Sequence, residues 1–418
     1  MSRRRRRIKK EYLYNMDLRE YIKNNTEEKA TPAFYFDKDA FIKRIDVVQE
    51  AFGTLPLTYS IKANPFLLEC IPAKLAHVEV CSPGELKLCG RYNIKGSRII
   101  YSGVNKGYED VRKAAEYDND GADIMTAESL RHAAIINDVC AKLNKKQKVI
   151  LRLSSGNQFG MSEEDIFTLL GDKDSYDFLD IMGIHYFSGT QKSAAGVDKD
   201  IKHLREFLKK AKDAYDFAPN LVELGLGLKI EYYKETCEED DMSLLVEAAE
   251  IVKAFALEYP VGIELGRFLA APCGTYLTGV CDIKSNKGGN YAICDGGINH
   301  LVYYGQNMAM RVPQMEVIAG ADKPTGADDK ESEKMPYCIC GSLCTVADVL
   351  VRNVELNRLY IGDVIAFYRC GAYSVTEGNA LFLSRQIPRV YIYSEKEGLS
   401  LKRDFIYTDE INCAGNIV

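Results

Sequence analysis

The chain has 418 residues, of which 46% are hydrophobic and 27% charged, and its formal net charge is −6. That length is enough for two domains, each with its own core. No run of about 18 apolar residues occurs, which excludes a transmembrane helix, and an acidic chain without a basic face argues against a nucleic-acid partner.

The first ten residues, MSRRRRRIKK, pass directly into EYLYNMDLREY with no apolar segment behind the arginines. They read as a solvated tail, residues 1–29 with the entry segment, and not as a secretory signal. The 13 cysteines are odd in number and scattered, many inside apolar runs such as VEVC and YAIC. Buried thiols in a reducing compartment account for them better than a disulfide framework does, so a cytoplasmic protein is expected. Cys338, Cys340 and Cys344 lack both the C-x-x-C spacing and a histidine partner, and no metal site is expected there.

Candidate strands then follow at 57–62, 77–80, 98–102, 122–125, 148–153, 181–187, 221–225 and 261–265. Amphipathic segments separate them. In HLREFLKKAKDAYDF, Leu204, Phe207, Leu208, Ala211 and Tyr215 form one apolar stripe. Alternating strands and helices imply a parallel sheet, and eight units in this span predict a closed (β/α)8 barrel over residues 30–272. Beyond about residue 275 the pattern changes to hairpins, with turns at SNKGGN and at Lys396-Glu397-Gly398, so residues 273–418 read as a mostly antiparallel β domain. The polar stretch 319–335 reads as a mobile surface loop.

In such a barrel the active site forms at the C-terminal ends of the strands. The residues expected there are Lys62, Glu79, Ser82, Arg152, His185, Ser188, Gly225, Gly227, Glu264, Gly266 and Arg267. Each has an ordinary structural alternative: a core histidine, a turn glycine, a local ion pair. Taken together, Ser188, the backbone around Gly225–Gly227 and the fork of Arg267 suit a phosphate, and Lys62 suits imine formation once desolvated. A phosphate cradle with an imine-forming lysine suggests pyridoxal 5'-phosphate (PLP).

The ordered stretches YSIKANP, VCSPGEL, RLSSGNQFGM, HYFSGTQ, ELGLGL, ELGRFLAAPCGTY, CDGGIN, GSLCTVAD and GDVIAFYRCGAYSV resemble the fold-type III PLP-dependent decarboxylases, the group of diaminopimelate, ornithine and arginine decarboxylases. The resemblance spans roughly residues 30–395. It implies an alanine racemase-like barrel, with Lys62 holding PLP covalently and His185 on the ring face. It further implies that Ser188, Gly225, Gly227, Gly266, Arg267 and Tyr373 hold the phosphate, with Glu79 and Arg152 beside the cofactor. Glu264 would sit at the ring nitrogen, which favours decarboxylation over racemisation, and Cys344 would act as general acid. The family's obligate homodimer, with Cys344 and Tyr373 reaching the neighbour's barrel, is expected here too.

Two departures bear on function. Thr345 stands where these relatives carry an acidic residue for a distal amine, and residues 298–314 contain no acid but supply Arg311 and Gln306. A modified, neutral-tailed or carrier-protein-tethered amino acid is therefore the expected substrate, with Arg311, Thr345 and Tyr373 as candidate contacts. The alternatives are a diaminopimelate decarboxylase making L-lysine and a non-catalytic binding homologue. The second departure is Leu226 inside the glycine triplet, from which a looser phosphate site is expected because leucine resists positive φ.

Overall fold

The computed structural model describes residues 18, 20–22, 31–233, 237–318 and 334–415. The arginine-rich tail and residues 319–333 of the expected loop lie outside the described residues. The chain divides into two compact units, one of Arg44–Ile230 with Asp240–Leu269 and one of Met1–Lys43, Glu231–Glu239 and Ala270–Val418.

In the first unit, β2 (Leu57–Ser60), β3 (His77–Val80), β4 (Ile99–Tyr101), β5 (Ile124–Ala127), β6 (Gln147–Leu153), β7 (Leu179–Tyr186), β8 (Leu221–Gly225) and β9 (Val261–Leu265) close into a parallel barrel. The ring closes through β2 and β9, where Thr58 lies opposite Glu264. The helices between strands are α2 (Pro83–Arg91), α3 (Tyr108–Ala115), α4 (Leu130–Lys142), α5 (Glu163–Gly171), α6 (Ala194–Tyr215) and α7 (Cys237–Phe255), while α1 (Lys38–Phe52) precedes β2.

Local chemistry explains where these helices begin. Ser82, Ser129, Ser162 and Ser193 each accept a hydrogen bond from a backbone N–H in the first turn of α2, α4, α5 and α6. The stripe foreseen on α6 is buried at Leu204, Phe207, Leu208 and Ala211, and Tyr215 stacks on Phe167 with ring centroids 5.3 Å apart. Inside the sheet, Ile100, Ile124 and Ile150 from three successive strands pack together with Met182 and Leu221. This apolar plug at one level leaves the polar residues to the ends of the strands.

The second unit is built on a nine-stranded sheet running β14-β13-β11-β10-β1-β16-β17, with β15 joined to β10 and β12 to β15. Its members are β1 (Ala33–Asp37), β10 (Gly274–Asn286), β11 (Gly289–Cys294), β12 (Met315–Ile318), β13 (Met335–Cys340), β14 (Val349–Leu356), β15 (Val364–Tyr368), β16 (Arg389–Ser394) and β17 (Gly398–Arg403). All these pairings are antiparallel except β1 with β16 and β11 with β13. The β10–β11 hairpin turns at Lys287 and Gly288, both at positive φ, as a two-residue loop requires.

Three segments expected in the barrel domain belong to this unit. Residues 31–43 join it because β1 pairs with β10 on one side and β16 on the other, Glu231–Glu239 leave the barrel after β8 to join it, and residues 270–272 belong to it as well.

Candidate active site

The expected strand 57–62 stops at Ser60, and Lys62 lies in a short 3-10 turn, Ile61–Ala63. The stop has a local cause: Pro65 opens the next turn without an N–H, and Asn64 caps that turn by accepting from Phe66 N–H at 3.0 Å. The turn carries Lys62 off the strand, with its side chain 40% exposed, and Nζ lies 2.7 Å from Glu79 Oε2, 3.5 Å from Cys81 Sγ and 3.9 Å from Glu264 Oε1.

Glu264 is the hub of this group. Ser60 Oγ donates to its Oε1 at 2.9 Å, and His185 Nε2 stands 3.3 Å from its Oε2. Burial works to raise its pKa, but the Lys62 ammonium, His185 and Ser60 outweigh burial and hold the carboxyl well below its ordinary value. For Lys62, burial works downward, and Glu79, Cys81 and Glu264 together hold the amine well above 10.5. The result is an ionised carboxylate and an ammonium side by side on the ends of β9 and β2.

Arg152, opposite His185 in the β6–β7 register, is taken by Glu128 at 2.8 Å, with its guanidinium 4.9 Å from the Phe159 ring centre. Ser188, just past β7, donates to Asp200 Oδ2 at 2.7 Å. Ser82 serves as the cap of α2.

Gly225 and Gly227 both need to be glycine. A Cβ on Gly225 would lie 2.7 Å from the Phe187 ring, and one on Gly227, at φ +53, would lie 2.1 Å from the Gly189 carbonyl. Between them, the expectation for Leu226 is corrected. Leu226 is not at positive φ; its side chain is buried and its N–H donates to the Glu264 carbonyl at 3.3 Å. The positive φ of the turn falls on Gly227, so leucine costs the backbone nothing there. Gly266 packs its open side against Ser60 and Ala63, and Arg267 opens the short helix Arg267–Ala270.

The remaining candidates lie in the sheet unit. Cys344 and Thr345 are exposed on the loop after β13, where Thr345 Oγ1 accepts from Ala347 N–H at 3.3 Å. Tyr373 holds φ +68 and ψ −37 ahead of a short helix, and its carbonyl accepts from Thr376 and Glu377 N–H. A tyrosine in that region costs on the order of 1–3 kcal/mol. Arg311 lies over the Tyr233 ring, 3.8 Å from its centre, and 3.6 Å from Glu231 Oε1.

Sequence reasoning missed four of the charged or polar neighbours: Ser60, Lys192, Asp200 and Glu231. Ser60 could have been read from YSIKANP itself, since strand alternation puts it on the opposite face from Tyr59. Lys192, one residue beyond HYFSGTQ, is a cation next to a predicted phosphate stretch. Glu231 had no signal, because only the departure of 231–239 from the barrel brings it to Arg311.

PLP fits this residue set. The buried His185 Nδ1 makes no hydrogen bond among the described residues, and Nε2 has its 3.3 Å approach to Glu264 as its one polar neighbour given there, which leaves the ring faces open for stacking. Two glycines keep the adjacent turn clear, and the amine of Lys62 remains accessible.

A family model described as pyridoxal-dependent decarboxylase, C-terminal sheet domain, matches residues 13–371. The chain is 27% identical over 333 residues to the L-glutamyl-[BtrI acyl-carrier protein] decarboxylase of Niallia circulans, covering 74% of this chain and 76% of that one. It is 26% identical to the 2-[(L-alanin-3-ylcarbamoyl)methyl]-2-hydroxybutanedioate decarboxylase of Staphylococcus aureus, covering 84% and 92%. Among solved structures, the diaminopimelate decarboxylase of M. jannaschii shares the fold with a TM-score of 0.78 at 22% identity, over 92% of this chain and 91% of that one.

Proposed function

The chain belongs to the pyridoxal-dependent decarboxylases, and from that premise we propose that it releases the α-carboxylate of a neutral-tailed, acylated or carrier-tethered amino acid as CO2, leaving an amine. The observation that carries this reading is that the positions where an acid for a cationic tail is expected, Thr345 and residues 298–314, hold none, and that Glu231, among the described residues, faces a guanidinium. Thr345 offers only a neutral hydroxyl, whose Oγ1 accepts from Ala347 N–H, residues 298–314 hold no Asp or Glu, and Glu231 faces the guanidinium of Arg311. A desolvated amine without a counter-charge loses about 2–5 kcal/mol. The Niallia and Staphylococcus relatives, named for a carrier-bound glutamyl and a carbamoyl-linked alanyl substrate, lend support.

When bound, PLP supplies an electron sink for the pair that CO2 leaves behind. Lys62 would hold it, and the ring of His185 would lie against its face. Ser188, Gly225, Gly227, Gly266, Arg267 and Tyr373 would hold its phosphate. Glu264, kept ionised by Lys62, His185 and Ser60, would retain a proton at the ring nitrogen. Glu79 would keep the freed Lys62 amine in place by its 2.7 Å contact. Cys344 would deliver the proton that replaces CO2 at Cα, one C–C bond breaking and one C–H bond forming; proton transfer from a placed group contributes about 10²- to 10⁴-fold. The active unit would be a homodimer in which Cys344 and Tyr373 complete the neighbour's site.

The test is CO2 release in single turnover across a panel: meso-diaminopimelate, ornithine, glutamate, and acylated or carrier-bound amino acids. Release from an uncharged or tethered substrate alone is expected. The relatedness to diaminopimelate decarboxylases, 24% over 92% of the chain for that of Aquifex aeolicus, favours a second reading, lysine formation. Fast CO2 release from diaminopimelate would select it.

A further inference from the structure

The segment between β7 and α6 carries a charged group that the decarboxylase reading leaves without a task. Lys192 Nζ lies 2.6 Å from Asp200 Oδ2, 3.2 Å from Ser188 Oγ and 3.2 Å from the Gly225 carbonyl. Ser188 Oγ donates to the same Asp200 oxygen at 2.7 Å. The side chains of Lys192 and Asp200 are only 12% and 15% exposed. The backbone of the lysine is fixed as well: its N–H donates to the Gly227 carbonyl at 2.9 Å and its carbonyl accepts from Lys229 at 3.0 Å. One residue thus ties the Ser188 loop to the glycine turn and places an ammonium between the two halves of the proposed phosphate cradle.

A simple ion pair bracing the start of α6 would explain the Lys192–Asp200 contact. It would not explain why the ammonium also reaches Ser188 on its own loop and the Gly225 carbonyl on β8, at the cost of being buried. Burial pulls the amine below its ordinary value while Asp200 pushes it back up. A cavity of about 760 Å³ opens on the group, lined in part by Ser188, Gly189, Lys192 and Asp200 together with Ser154 and His203. A phosphate bound by Ser188 would meet the Asp200 carboxylate within hydrogen-bond reach of the same hydroxyl. Two anions so placed repel unless a cation stands between them.

We infer that Lys192 is a cationic ligand of the cofactor phosphate, with Asp200 holding the ammonium and the Ser188 hydroxyl turning its one proton from Asp200 to the phosphate when the cofactor binds. The inference rests on the assignment of Ser188, Gly225 and Gly227 to the phosphate. Lys192 would add a point charge to the fork of Arg267.

Equilibrium dialysis of the full-length apoprotein against PLP and against pyridoxal, which lacks the phosphate, separates the possibilities. Wild type is expected to prefer PLP. Lys192→Met is expected to lose roughly 10- to 100-fold of that preference, as loss of a charge-assisted contact implies, with pyridoxal affinity unchanged, and Lys192→Arg to keep most of it. Equal weakening of PLP and pyridoxal by Lys192→Met would reduce the residue to a loop brace and overturn the inference. If wild type binds both equally, the cradle assignment falls, and the inference with it. Should Lys192→Met not fold, Asp200→Asn carries the test: it leaves the ammonium to the phosphate and is expected to raise the PLP preference, and no rise would refute the role.

Discussion

Replacing Glu79 by Gln is predicted to speed cofactor capture, although the residue sits in the site. Capture needs the neutral Lys62 amine, and Glu79 is the strongest of the groups that keep the amine protonated. Two unit charges 2.7 Å apart attract by about 1.5 kcal/mol in water and about 6 kcal/mol at an effective dielectric of 20. Because the Lys62 side chain is 40% exposed, solvent screening places the contribution toward the lower end, about 1.5–3 kcal/mol. At about 1.4 kcal/mol per factor of ten, its removal shifts the protonation equilibrium of the Lys62 amine toward the neutral form. The neutral fraction at pH 8 then rises roughly 10- to 100-fold, and the capture rate with it. Stopped-flow absorbance of apoprotein mixed with PLP between pH 7 and 10.5 would show the rate profile displaced to lower pH. Superimposable profiles for wild type and Glu79→Gln would refute the view that this ion pair controls the amine.

Four further outcomes are expected. Buried Glu223 is pushed up to about 8, chiefly by burial, so between its ordinary 4.5 and 8 the folded chain holds a proton that the unfolded chain has released, and stability falls as pH rises through that window; Glu223→Gln should remove on the order of 1.4 kcal/mol per pH unit from the slope of stability measured in denaturant melts. Gly227→Ala, meeting the Gly189 carbonyl at φ +53, should cost about 1–3 kcal/mol and release PLP, whereas Leu226→Gly should leave PLP retention as it is, both read from cofactor content after dialysis. Mixing inactive Lys62→Ala and Cys344→Ala proteins should restore about a quarter of wild-type CO2 release if random hybrids each contain one complete site; no recovery after verified subunit exchange would contradict shared sites. Arg311→Ala removes the guanidinium facing Glu231 and should raise turnover of ornithine relative to acylated substrates roughly 10-fold, the size of a regained charge contact; an unchanged ratio would place the pair away from the substrate tail.

The barrel was legible because its signal is local. Each strand is a short β-branched run, each helix a 3.6-residue stripe, and four of the helices begin at a capping serine, so periodicity alone located all eight barrel strands to within a few residues. The placement of β1 was not legible. AFYFD has the same composition as a barrel strand, and what assigns it to the sheet is pairing with residues 274–277 and 389–393, more than 230 residues away. Strand propensity carries no information about such a partner.

The same distinction runs through the site. Lys62, Glu79, His185 and Glu264 could be grouped beforehand because each follows from its place at the end of a strand, and the barrel itself converts that into proximity. Leu226 was misjudged for the opposite reason. A glycine triplet in sequence does not say which member turns the chain, and here φ is positive at Gly227 alone of residues 225–227, while Leu226 turns inward and gives its N–H to the carbonyl of Glu264. Glu231 is the most consequential omission, since a search for acids restricted to 298–314 could not see a carboxylate brought in by a segment that leaves the barrel after β8. Its contact with Arg311 makes the charge of that region a property of the pair. On the specificity proposed above, a cationic tail would be disfavoured because Glu231 already faces a guanidinium, and that specificity then depends on Arg311 as much as on Thr345.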